Sequence, residues 1–560
     1  MITQNNMGDE DFNFDGTLKF LKAKWPIIVL GLILIFGFYL RSYHADYPVI
    51  GYHNMKEAHT LGEAWFMYED GDYFVNRLFY NINLDNPEGE HVDNFPLLSW
   101  IIVLGWKLFG VKLIVARTVM ILFSIGVILF TYLIIKQLFK KEDFALLSAF
   151  FVSICPLLIF FGRNVQYDIP ALFFMMVSIY FFLKWIEKDN YKNFILFSLF
   201  FTIGGLTKQP ALILLIPIIS IFPFKKLNFK SKEFKKHYWK QYLYGLGGII
   251  ITFLFIKYSN YFNNLHSFHL GIKPFASETL STLLTSNFWK IIYTYAITDN
   301  FTKLGFILAL VGFVLIILKI KKWNFRFLSF WFFSYLIYAA FAPPQMTGHS
   351  YYQIPYAPII MISVAYALLF IFNSIFSFIK EKNVKTAIVF IAIIILLIPW
   401  FQHLKLSTTR QFDTQFFGLD VAGEYINQHS LPDEVIFESG HQDRGLGWHA
   451  KRRLIEFGTV EDLKKGEEEL NVKWVFVYQW GFSQILGNQE FKDHIYNSYS
   501  LVQIGFINNG PQIQPYYYLF QKGGSFNESQ INSMIQNKIP QTKNYDLTNG
   551  NVIFNYINLK

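Results

Sequence analysis

Apolar residues fall in long runs broken by short polar segments. A run of about 20 residues is enough for one helix to cross a hydrocarbon core about 30 Å thick. Eleven runs fit, at roughly 26–44, 113–136, 144–161, 168–184, 192–206, 208–224, 240–257, 303–320, 326–342, 354–375 and 386–402. The fifth is short and ends in "GGLTK", so it reads as broken or partly re-entrant. The run at 96–110 begins with proline and carries Lys107, and it reads as a helix along the outer interface. With the N-terminus inside, the short segments 17–25, 136–142, 184–192, 225–240, 319–326 and 380–385 hold 23 Lys and Arg, against 11 on the other side. Cytoplasmic loops carry such an excess.

After residue 403 the pattern changes. The segments 433–439, 472–480, 500–506 and 516–523 read as strands, and 419–429 reads as a helix with Leu419, Ala422, Tyr425 and Ile426 on one face. Segment 57–68 has helical amphipathicity through Ala58, Leu61, Ala64, Trp65 and Tyr68, which predicts a helix lying flat at the interface. The expected fold is therefore mainly α: a polytopic transmembrane bundle of about 11 spans with a small α/β extracytoplasmic C-terminal domain. Its parts are an inner tail at 1–25, a membrane domain at 26–402 with outer loops 45–112 and 258–302, and an outer domain at 403–560.

Composition agrees with a membrane protein. Hydrophobic residues make up 53% of the 560 and charged residues 16%, below the ~25% of soluble domains. The only cysteine, Cys155, lies in an apolar run, which excludes a disulfide scaffold and makes it a packing residue. The net charge of +9 is spread through short segments between spans, so it carries no signal for nucleic acid.

Polar groups concentrate at the outer ends of the expected spans. They include His53, Lys56, Glu57, His59 and Glu63; Glu90, His91 and Asp93; Arg163 and Asp168; Lys208; and His349, Tyr351 and Tyr352. Ionisable side chains at a membrane boundary are costly unless paired or wet. Cations there suit a phosphate, with Arg making bidentate and Lys point-charge contacts, and a carboxylate would serve as base or metal anchor. No tight Asp/His ligand spacing stands out, so a divalent metal stays open. Two other readings compete: a non-catalytic membrane scaffold, and a lipid or glycan transporter. Mid-span charges and an internal repeat, which a transporter would show, are missing from the pattern.

Five stretches resemble the C superfamily of membrane glycosyltransferases, in the branch of bacterial protein O-mannosyltransferases and the lipid A aminoarabinose transferase. They are "KEAHTLGEAWFMYEDGDY" at 56–73, "NFPLLSWIIVLGWKLFGVKLIVAR" at 94–117, "FGRNVQYD" at 161–168, "GLTKQPAL" at 205–212 and "GHSYYQIPYAP" at 348–358. The resemblance implies transfer of a monosaccharide from a polyprenyl-phosphate donor to a lipid, glycan or protein acceptor, on the outer face of the cytoplasmic membrane, with membrane lipids as partners. It implies Glu57, Asp168 or Asp93 as the catalytic carboxylate. Arg163, Lys208, His349 and Tyr352 would bind the donor phosphate, and His53, Lys56 and Tyr351 would line the site. The family typically places Asp-Glu where this chain has Lys56-Glu57, so the Asp that is its proposed catalytic residue is a lysine here.

Overall fold

The apolar runs fold as helices, and their lengths decide how many can cross a membrane. The structure, a computed structural model, describes residues 14–560 apart from 81, 228–229, 231, 233–237, 267–277, 441–443, 510–511 and 537. Most of the expected inner tail and part of the loop 258–302 thus lie outside the described residues. Among the described residues six helices are long and apolar enough to span: Lys24–Ser42, Leu113–Phe139, Asp168–Lys188, Trp239–Leu265, Ser350–Phe378 and Val384–Asp413. A seventh is reached if Ser286–Asn300 and Lys303–Ile317, bent by 114° at their junction, count as one span.

Eleven spans is therefore an overcount, and each surplus run has a local cause. The run at 144–161 breaks between Glu142–Ser153 and Pro156–Phe160, because Pro156 lacks an N–H to continue a helix and opens a new one instead. The run at 192–206 forms Tyr191–Thr207, 17 residues, and stops at Lys208, whose backbone is extended. The run at 208–224 holds the 3-10 turn Gln209–Leu214 and the six-residue helix Leu215–Ser220. In Trp323–Phe341 the apolar residues are diluted by Asn324, Arg326, two Trp and two Tyr. The run at 96–110 forms Leu97–Phe109, 13 residues, about 20 Å long at 1.5 Å per residue and too short to span.

The expected strands and helix of the C-terminal region are present. A seven-stranded mixed sheet has the order Leu454–Ile455, Val435–Glu438, Val472–Tyr478, Gln512–Lys522, Tyr499–Asn509, Gly550–Asn558, Gln541–Leu547. The first three strands run parallel and the remaining pairings are antiparallel. The helix Leu419–His429 presents Leu419, Ala422, Tyr425 and Ile426 to the core.

This domain sits on the loop layer at 45–95. Gly445 N donates to Asn54 Oδ1 at 2.9 Å, and Val49 N donates to His449 Nε2 at 3.1 Å. Leu454 N donates to Phe79 O, and Arg453 pairs with Glu88. Trp448 stacks on Trp106 at 5.9 Å and meets Trp65 edge-on, while Lys451 Nζ lies 2.9 Å from the Trp448 ring centroid. The helix Asn54–Asp70 consequently does not lie flat at an interface. Eleven of its 17 residues are buried, Glu57, His59 and Glu63 among them, because it runs between the bundle and the domain above it.

Candidate functional site

Three clusters of ionisable side chains meet in this layer, and the helix Asn54–Asp70 contributes to all of them. The first forms where that helix faces the hairpin Asn76–Arg77/Glu90–His91. His59 and Glu63, four residues apart, share one helix face, and His91 and Asp93, two apart, point from the strand to the same side. Gly89 sets the turn before them: its φ is +65°, and a Cβ there would lie 3.0 Å from Leu78 O. From the other side Asn263 takes both polar groups of Val92, accepting from its N at 2.7 Å and donating to its O at 2.7 Å, and Ser259 donates to the same oxygen.

His59 Nε2 is 3.4 Å from Glu63 Oε1 and 3.3 Å from Asp93 Oδ2. His91 Nε2 is 3.1 Å from Glu63 Oε1 and 3.5 Å from Asp93 Oδ1. Four tetrahedral ligands with bonds of 2.0–2.1 Å would stand about 3.3 Å apart. Both imidazoles use Nδ1 outward, His59 on Tyr80 OH at 2.7 Å and His91 on Gly89 O at 3.4 Å, the outer-shell contact that fixes a ligating tautomer. His59 Nε2 is buried with no hydrogen-bond partner among the described residues. The set fits a divalent metal, zinc best by ligand type and spacing. Burial alone would raise the Asp93 carboxyl, but the two histidines hold it well below the usual range; burial would lower His91, but Asp93 and Glu63 raise it to about 10. The spacing of these ligands was legible after all, as His-x-x-x-Glu on a helix and His-x-Asp on a strand.

The second cluster joins the break after Tyr191–Thr207 to the start of Asp168–Lys188 and the turn Ser350–Tyr356. Lys208 Nζ donates to Asp168 Oδ2 at 2.6 Å and lies 5.3 and 5.9 Å from the ring centroids of Tyr351 and Tyr352. His349 stacks on Tyr351 at 5.1 Å, and His53 packs edge-on against both, at 5.0 and 5.2 Å. Lys56 stands one turn after His53 on the helix Asn54–Asp70. Behind the turn lies an apolar cavity of about 320 Å³, lined by Phe301, Phe332, Tyr335, Gln353 and Tyr356 among others.

The third cluster takes Glu57. Arg117 forks onto it through Nε and Nη2, both at 2.8 Å, and Val165 N donates to Oε1 at 3.3 Å. Burial would raise this carboxyl, yet Arg117 outweighs it and the carboxyl titrates below 4.5. Arg163 lies beside this pair, donating to His44 O and covering the Phe412 ring at 4.4 Å.

The expected residues thus divide. Asp168, Lys208, His349, Tyr351, Tyr352 and His53 come together; Asp93 joins the first cluster; Glu57 and Arg163 belong to the third; Lys56 lies on the first turn of Asn54–Asp70, between these clusters in sequence. Arg117, His59, Glu63, His91, Ser259 and Asn263 complete the site. The two span residues Ser259 and Asn263 show in the sequence as a polar pair four apart at the end of an apolar run.

The chain as a whole has the fold of several solved structures. ArnT from Cupriavidus metallidurans bound to undecaprenyl phosphate matches 88% of this chain and 98% of its own, with a TM-score of 0.56 and 11% identity. At this identity the likeness is one of fold. The Archaeoglobus fulgidus oligosaccharyltransferase, in a complex with zinc and sulfate, has a similar fold over 87% of the present chain and 73% of its own, at TM-score 0.52 and 14% identity. AglB from the same organism, with an inhibitory peptide and a dolichol-phosphate, matches 88% and 74%, at TM-score 0.51 and 14% identity. A family model described as dolichyl-phosphate-mannose-protein mannosyltransferase matches residues 90–256. An uncharacterized protein of Aquifex aeolicus is 26% identical over 185 residues, 33% of this chain and 34% of its own. The match thus spans about a third of that curated relative.

Proposed function

We propose that the protein transfers a monosaccharide from a polyprenyl-phosphate carrier to an acceptor hydroxyl at the membrane surface. The observation that carries this reading is the second cluster: a largely buried Lys208–Asp168 pair walled by aromatic rings, in a bundle of this fold whose turn Ser350–Tyr356 also lines an apolar cavity through Gln353 and Tyr356. A lipid-linked phosphate has those two needs, a desolvated cationic seat and an apolar channel for its tail.

Of Glu57, Glu63, Asp93 and Asp168, only Asp168 keeps a carboxylate oxygen without a partner among the described residues. Asp168 is thereby the base: it takes the proton of the acceptor hydroxyl as that oxygen attacks the anomeric carbon. Lys208 seats the donor phosphate, and Tyr351, Tyr352 and His349 exclude water from it. Glu57 with Arg117 holds the helix Asn54–Asp70 in place. His59, Glu63, His91 and Asp93 would hold the metal, and four protein ligands leave no open position, as in structural sites. When bound, it would neutralise the two carboxylates and tie the helix Asn54–Asp70 to the hairpin beside the pocket.

The bundle end away from the site is basic, which supports a site on the outer face of the cytoplasmic membrane with the N-terminus inside. Leu113–Phe139 starts next to Arg117 and runs 27 residues, about 40 Å, to Lys136, Lys140 and Lys141. Asp168–Lys188 likewise ends at Lys184 and Lys188.

In lipid nanodiscs, the protein is expected to bind members of a panel of undecaprenyl-phosphate hexoses and pentoses, read by native mass spectrometry. Lys208→Met should weaken that binding at least about tenfold, and Asp168→Asn should bind but turn over about 10²–10⁴-fold more slowly. No binding by the wild type across the panel would sink the assignment.

A further inference from the structure

The segment 78–91 belongs to two bodies at once. By sequence it lies in the loop layer, yet Leu78 and Tyr80 share a buried apolar cluster with Leu446 and Leu454 of the C-terminal domain, and Ile82 shares another with Phe437 and Val475. Its polar groups join the same side, where Leu454 N donates to Phe79 O and Arg453 pairs with Glu88. Its other side aims the two histidines of the first cluster. Tyr80 OH stands 2.7 Å from His59 Nδ1, and Gly89 O 3.4 Å from His91 Nδ1. Tyr80 is itself held by the C-terminal domain: the Arg444 guanidinium lies 4.0 Å from its ring centroid, and Arg444 Nη2 is 3.4 Å from Glu456 Oε1. The next residue, Gly445, donates from its N to Asn54 Oδ1 at 2.9 Å, at the start of the helix that carries His59 and Glu63. Two consecutive residues of the C-terminal domain therefore reach both elements that supply the ligands.

An imidazole that ligates through Nε2 carries its proton on Nδ1. At His59 that proton meets the Tyr80 oxygen, and Tyr80 is 4% exposed, so water does not stand in for it. Without that oxygen the buried Nδ1–H would have no acceptor, and the tautomer protonated on Nε2, which cannot ligate, would gain ground. Resting on the metal-binding reading of the first cluster, we propose that Tyr80 is a positioning residue through which the docked C-terminal domain raises the affinity of that cluster for a divalent ion. Coupling of this kind is reciprocal: the factor that docking adds to metal affinity, the metal adds to docking. The ion is thereby a latch between the C-terminal domain and the loop layer, and its loss loosens the seam at Arg444–Gly445 and Leu454.

The test uses the full-length protein in nanodiscs with zinc alone as the probe, its affinity read by competition with a fluorescent chelator. Tyr80→Phe keeps the ring and its packing. It is expected to weaken zinc binding about 10–100-fold, while the unfolding midpoint in excess chelator stays within about 2 °C of wild type. Arg444→Ala leaves every ligand and Tyr80 in place and should weaken zinc binding at least about fivefold. In the wild type, hydrogen exchange at the Gly445 and Leu454 amides should quicken at least about fivefold on chelation and slow again with zinc, and Tyr80→Phe should blunt that response. Wild-type zinc affinity in Tyr80→Phe would overturn the proposal, and so would exchange at Gly445 and Leu454 that ignores zinc in a wild type that binds it. A Tyr80→Phe midpoint lowered equally with and without zinc would overturn it as well, marking a packing role only. A wild type that binds no zinc fails at the metal reading itself, and the latch falls with it.

Discussion

Arg117→Met is expected to destabilise the protein by about 3–5 kcal/mol, because it strands the Glu57 carboxylate in a buried site. The guanidinium is 3% exposed and makes two 2.8 Å bonds to Glu57, while its third nitrogen donates to Tyr47 O at 2.5 Å. Glu57→Gln should be destabilising for the complementary reason, leaving the cation short of its charge. The double variant Glu57→Gln/Arg117→Met should recover much of the loss, since replacing both members of a buried pair is often near neutral. Thermal unfolding in a fixed detergent, read by tryptophan fluorescence, measures all three. The carboxyl titrates below 4.5 when folded, so the stabilisation is present above that pH and is lost as the pH falls through the folded value. The same series decides what Glu57 does. A base would give a Glu57→Gln protein that is inactive at wild-type stability; a positioning residue loses stability and activity together, and wild-type stability in Arg117→Met would remove the pair from the account.

Chelation of divalent ions should have an effect of similar size by a different route. Metal bound to the folded protein at a thousand times its Kd adds about 4 kcal/mol of stability through linkage. Dialysis against a strong chelator should therefore lower the unfolding midpoint and stop transfer, and zinc should restore both. His91→Ala and His59→Ala should lower the midpoint and show little response to zinc. Asn263→Ala is the finer probe, because it touches no ligand but frees the backbone at Val92 between two of them; it should weaken metal binding about 10–100-fold. Purified protein free of metal by elemental analysis, with a midpoint indifferent to both chelator and zinc, would refute the site.

The C-terminal strands were readable because their signals are local: apolar stretches such as 472–478 bounded by turn residues. The spans were readable only as apolar length. Composition does not register that Pro156 restarts a helix or that Lys208 ends one, so runs that are broken inside the bundle counted as crossings. In the site, the second cluster assembled largely as the sequence suggested, since His349, Tyr351, Tyr352 and Lys208 each flank an apolar run. Glu57 was harder. Its partner Arg117 lies 60 positions away inside an apolar helix, and no pattern in one sequence pairs two such positions. Arg163 lies apart from the second cluster, where one backbone oxygen and the rings of Phe160 and Phe412 hold it. The four-ligand cluster stayed unread because its two halves, each with ligand spacing, are separated by the hairpin that folds them together.

Lys451, held over Trp448 where the C-terminal domain meets the loop layer, has a further consequence. With Gly445, His449 and Leu454 bonded into the loop layer, the C-terminal domain is a roof built into the chamber of the candidate site rather than a tethered accessory. Such a chamber cannot be refitted by exchanging outer domains between relatives, because the ceiling and the floor were cut to each other. Acceptor choice in this protein would then change through residues along that seam, in step on both sides of it, and a chimera joined at residue 403 would inherit neither parent's preference.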